Sequence, residues 1–170
     1  DVFPYASLWT SEFHEMLLVG SLQPMQLDAA KITERFQQAS VRSTLQDVGI
    51  GSAPALLATW VTDRAGLERF AANAPAVTDD QPRIEYAPWV RSKEITRVLP
   101  ALLDLYVPPP LVNADTGFTE RMETHRQRLL QFYRASMHAY NGDRDAWGRD
   151  MSEVMQSDGG NPYFRWFVGK

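Results

Sequence analysis

The chain has 170 residues, 44% hydrophobic and 22% charged, with a formal net charge of -4, which fits one globular domain with at most a small appendage and excludes a disordered chain. The scattered Lys and Arg residues form no basic stripe, so a nucleic-acid partner is not expected. The sequence has no Cys, which rules out disulfides, thiolate zinc sites and a cysteine nucleophile, and agrees with a reducing, cytoplasmic setting.

Phe3, Tyr5, Ser7 and Trp9 alternate with Pro4, Ala6 and Leu8, the period of a strand with one aromatic face, and Pro4 puts it at a strand start or a sheet edge. No signal-like segment or initiator Met precedes Val2, so the chain is expected to be part of a longer polypeptide. After the polar stretch Ser11 to Glu15, the run Met16-Leu17-Leu18-Val19 is apolar on both faces, as in a buried strand closed by Gly20-Ser21. The two segments predict an antiparallel hairpin with Trp9 and Leu18 on a buried face. The apolar run falls far short of the ~20 residues that span a bilayer, and no direct membrane contact is expected.

From Leu27 the period becomes helical. Ala29, Ile32, Phe36 and Ala39 share one face behind an Asp28 cap, and Leu27 is placed to staple onto Ile32. Leu45 and Val48 before Gly49 predict a short second helix with a glycine stop. Ser52 before Pro54 opens a third, carrying Leu56, Leu57, Trp60 and Val61. Asp63 caps a fourth with Leu67, Phe70 and Ala74 inward, ended by Pro75. Residues 78–86 read as an extended loop leading to a short strand. Ser92 begins another helical pattern that Pro100 must kink or restart. Pro108-Pro109-Pro110 is a stiff connector. Met122, Leu129, Phe132 and Ser136 then mark a long helix ending at Asn141-Gly142, followed by a second with Trp147, Met151 and Val154 and an aromatic tail from Pro162 to Phe167.

Few residues carry chemistry in a specific pattern. His125 and His138 lie too far apart to share a helical face as metal ligands. His14 between Glu12 and Glu15 reads either as a small cation site or as a solvated hairpin turn. Asp79 and Asp80, in a Pro-bounded loop, could bind an amine or a metal. Successive residues of extended chain point to opposite sides, however, so the plainer reading is one turn cap and one solvent-facing acid. No Gly-x-Ser-x-Gly, dinucleotide fingerprint or P-loop occurs, and no catalytic, cofactor-binding or metal residue is assigned.

Three segments in order, Phe3 to Trp9, Met16 to Ser21 and Thr78-Asp79-Asp80-Gln81-Pro82-Arg83-Ile84-Glu85-Tyr86, resemble the C-terminal part of bacterial spermidine synthase-like proteins, most closely the membrane-attached members. The resemblance covers about residues 1–89. It implies an aminopropyltransferase-type parent of polyamine biosynthesis, with the hairpin as the terminal strands of a Rossmann-like methyltransferase fold. It also implies that the glycine-rich donor turn, the acidic residue after the second strand and the proton-accepting aspartate all precede this segment, so none is carried over. Asp79, Asp80, Pro82 and Glu85 match the family's C-terminal motif.

The fold class expected is therefore α+β and mostly helical: an antiparallel hairpin, then helices, then a C-terminal helical hairpin. Residues 1–89 form the transferase-like portion, 90–110 a helix and Pro-rich linker, and 111–170 the helical tail. The partners expected are the preceding part of the same polypeptide and a second copy of the chain. The alternative is a helical module, similar to a tetratricopeptide unit, that binds a protein through Trp147, Tyr163, Trp166 and Phe167. The full gene sequence would separate the two readings.

Overall fold

A computed structural model describes residues 3–11, 13–74 and 94–168. Strand β1 (Tyr5–Thr10) pairs antiparallel with β2 (Met16–Ser21), in register from Tyr5 opposite Ser21 to Thr10 opposite Met16. The hairpin is thus as expected, with Pro4 just before its first strand. The fold as a whole is α+β and mostly helical.

The third helix is shorter than expected. Helix α1 (Ala29–Phe36) starts at Asp28, whose carboxylate accepts from the Lys31 N–H at 3.1 Å. Helix α2 (Ala39–Asp47) follows, and α3 (Ala53–Leu57) starts at Ser52, whose hydroxyl accepts from the Ala55 N–H at 3.2 Å. Trp60 and Val61 do not continue it. They belong to strand β4 (Trp60–Asp63), which pairs antiparallel with the open side of β1 and gives the strand order β2-β1-β4. Trp60, Val61 and Thr62 are aromatic or β-branched and fit a pleated surface. The free side of β1 supplied the partner that helical spacing alone leaves out. A register shift between Leu8 and Trp9 brings Trp9 opposite Trp60, edge to face with ring centroids 5.2 Å apart.

Asp63 then caps α4 (Arg64–Ala71) through the Gly66 N–H at 3.1 Å. Phe70 and Ala74, expected inward, are exposed. The helix lies against β1 and β4 at its start, with Gly66 over Thr62, and its later turns run past the sheet. The expected short strand around residues 84–86, the Ser92 helix start, and Asp79, Asp80, Pro82 and Glu85 lie outside the described residues.

Helix α5 (Ile95–Leu103) holds Pro100 in its interior and leads into the proline segment. The residues just before those prolines are stitched to β4. Thr62 Oγ1 donates to the Leu105 carbonyl at 2.7 Å and Trp60 Nε1 to the Val107 carbonyl at 2.9 Å. A two-residue strand, β5 (Leu111–Val112), then runs parallel to β3 (Leu27–Asp28). Helix α6 (Thr116–Asn141) is capped by Asp115, ends at Gly142 in the left-handed conformation that glycine adopts without strain, and turns into α7 (Arg144–Asp158). Helix α8 (Pro162–Val168) closes the chain.

Helix α6 serves both apolar clusters. Near its start, Phe118 and Met122 meet Ala29, Phe36, Ala53 and Leu57. Further on, Phe132 and Tyr133 meet Leu99, Met151, Val154 and Phe164. Phe13 joins this second cluster from the hairpin turn, a stretch that reads as polar in the sequence. His14 beside it hydrogen-bonds the Tyr140 hydroxyl and packs edge-on to that ring. The turn is therefore docked on α6 rather than loose in solvent, and Glu12 lies outside the described residues.

The expectation of a buried Leu18 is not met. Leu17 is 55% exposed and Leu18 63% exposed. Leu18 stands opposite Leu8, which is buried, and cross-strand partners share a face. The face that α4 covers at β1 is thus open at β2. The aromatic tail does not fold over it: Phe164 and Phe167 pack around Phe132 instead.

Candidate functional site

A cleft of about 1210 Å³ lies between the β1–β2 end of the sheet, the end of α2 and helix α8. Its apolar wall includes Trp9, Leu17, Ile50, Leu56, Tyr163 and Trp166, and Glu15, Asp47 and Arg165 stand among its polar residues. A smaller chamber of about 80 Å³ shares Thr10, Ile50, Thr59 and Tyr163 with it and is lined further in by His125, Arg128, Asp158 and Asn161. The two form one crevice, apolar outside and polar within, the arrangement usual in ligand pockets.

Gly49 and Asn161 hold the crevice together. Gly49 has φ +84°, and a Cβ there would lie 2.3 Å from Asn161 Oδ1 and 2.8 Å from Tyr163 Cβ. Only glycine lets the end of α2 approach α8 so closely. Asn161 Nδ2 donates to the Gly49 carbonyl at 3.1 Å and to Asp158 Oδ2 at 3.3 Å, while its Oδ1 accepts from the Tyr163 N–H at 3.0 Å. The Phe13 N–H donates to the Tyr163 hydroxyl at 2.7 Å, tying α8 to the hairpin turn.

His125 Nε2 lies 3.5 Å from Ser52 Oγ. This is no nucleophile–base pair. Ser52 Oγ is already engaged as the α3 cap, the contact sits at the limit of hydrogen bonding, and no carboxylate hydrogen-bonds the imidazole among the described residues. Burial pushes the His125 pKa below its ordinary value, Arg128 pushes it the same way, and Asp158 opposes them. A lowered folded pKa means that the unfolded chain takes up the proton more readily. The stability tied to neutral His125 is then complete above about pH 6.5 and is lost as pH falls below that and through the lowered folded value. His125→Gln is expected to flatten the fall in urea midpoint between about pH 7 and pH 5. Parallel pH profiles for the two proteins would contradict this.

Asp79, Asp80, Pro82 and Glu85 lie outside the described residues, so the structure brings none of them to the crevice. Among the described residues no group of three or more His, Cys, Asp or Glu side chains could hold a metal ion, and no helix is long and apolar enough to cross a membrane. The crevice was not foreseen from the sequence. Its residues come from β1, β2, the α2–α3 segment, α6 and α8, and no local pattern connects them. The one usable signal was Gly49, which reads as a helix stop but also as a point of close approach.

The chain matches no family model, no curated protein and no solved structure.

Proposed function

We propose that this chain is the C-terminal part of a spermidine synthase-like, aminopropyltransferase-type protein, which closes the sheet of a Rossmann-like domain whose donor-binding and catalytic residues lie in preceding strands. The observation that carries the reading is β2. It is apolar on both faces, with Leu17 and Leu18 more than half exposed, and it pairs on one side only among the described residues. Strands apolar on both faces belong inside sheets covered on both sides, and an exposed apolar edge is a template for further pairing. The motif order that carries the family resemblance places the missing partners before β1.

The interaction-module alternative has less support. Trp147, Tyr163 and Phe167 pack against the α6–α7 core, leaving Trp166, at 74% exposure, as the free member of that aromatic set.

On this reading the isolated chain does not bind S-adenosylmethionine or its decarboxylated form, because the glycine-rich turn and ribose-binding acid of such a domain are elsewhere. Calorimetric titration of residues 1–170 is expected to give no saturable heat, and the complete polypeptide is expected to bind the decarboxylated donor. Saturable micromolar binding by the isolated chain would sink the proposal.

A further inference from the structure

The crevice has a chemistry of its own, independent of the transferase reading, and we infer that it binds an amphipathic carboxylate, with the carboxylate at Arg128 and the apolar body along Ile50, Leu56, Trp9 and Trp166. Arg128 lines the inner chamber and is only partly exposed, yet makes no ion pair among the described residues. Of the other arginines on α6, Arg126 pairs with Glu123 and lies over the Tyr106 ring, Arg134 pairs with Asp150, and Arg121, which also makes no ion pair among the described residues, is exposed to solvent. A guanidinium presents a fork of donors that fits a carboxylate, and leaving it unpaired in a partly dry chamber is costly.

Two neighbouring groups shape the chamber around Arg128. Asn161 orders one wall through three hydrogen bonds. Asp158 is the one carboxylate of the chamber, and its Oδ2 is already taken by Asn161 Nδ2. Outside the chamber the lining turns apolar and aromatic over a cleft of about 1210 Å³, large enough for an alkyl chain or a ring system, and His125, which burial holds toward its neutral form, is the other base that lines the chamber. Asp158 sets the specificity test, because its charge weakens binding of an anion and would strengthen binding of a cation.

The test uses decanoate, decylammonium and decanol as probes, with binding to the 170-residue chain measured by calorimetry. Decanoate is expected to bind more tightly than either control. Arg128→Met is expected to weaken decanoate about tenfold or more, the value of a charge-assisted contact, while leaving decanol unchanged, and Arg165→Met at the rim is expected to change little. Asp158→Asn removes a negative charge from the last residue of α7, which favours the helix, and is expected to tighten decanoate several-fold. That variant decides the matter even if Arg128→Met folds poorly. Tighter binding of decylammonium than of decanoate, or decanoate affinity indifferent to both Arg128→Met and Asp158→Asn, overturns the inference.

Discussion

Phe132→Ala is expected to lower the stability of the chain by about 3–5 kcal/mol, the range for removing a fully buried aromatic ring. Phe132 has no exposed surface. Its ring stacks on Phe164 at 4.7 Å between centroids, and lies 5.0 Å from Tyr163 and 5.1 Å from Phe167. Three residues of α8 therefore rest on one side chain of α6, and truncation leaves a cavity that a helix of 7 residues cannot refill. With net stabilities of single domains on the order of 5–15 kcal/mol, a substantial fraction goes at once. Urea titration should show the midpoint falling with little change in slope. A loss under about 1 kcal/mol would mean that α8 is held by something other than this ring.

Leu18→Lys is expected to have two different effects depending on what surrounds β2. In the isolated chain Leu18 is 63% exposed, and a lysine there should change stability by no more than about 0.5 kcal/mol. In a complete polypeptide whose sheet continues past β2, the same lysine would be buried without a partner, at a cost of several kcal/mol. Thermal denaturation of both proteins, each with and without the substitution, checks this directly. Equal small shifts in the two would show that β2 stays an open edge in the complete protein.

Much of the local structure could be read from the sequence, and the reason is that its signals are local. Asp28, Ser52 and Asp63 each accept from a backbone N–H three residues on, so the helix starts follow from side-chain chemistry. The hairpin follows from alternation and a run of apolar residues. What escaped depends on distant partners. Trp60 and Val61 follow a helical spacing and become a strand because β1 offers an edge. Phe13 sits in a polar turn and is buried because α6 and α8 present aromatic rings to it. Leu18 has the character of a core residue, yet the described chain contains nothing that covers it.

The crevice was illegible for the same reason. Arg128 looks like any solvated base on a long helix until the α2–α3 segment and α8 close around it. Gly49 is the exception, because its left-handed φ could be inferred from its place after Val48, although its contact with Asn161 could not.

On the proposed reading β2 is an interior strand of a larger sheet. Hydrogen exchange of the β2 amides, Met16–Ser21, tests it most directly when residues 1–170 alone are compared with the complete polypeptide. In the isolated chain, the amides that are not bonded to β1 should exchange quickly while their neighbours are protected. In the complete polypeptide all of them should be protected to the level of β1. If the outward amides of β2 exchange at the same fast rate in both, the sheet does not continue there and β2 is not an interior strand.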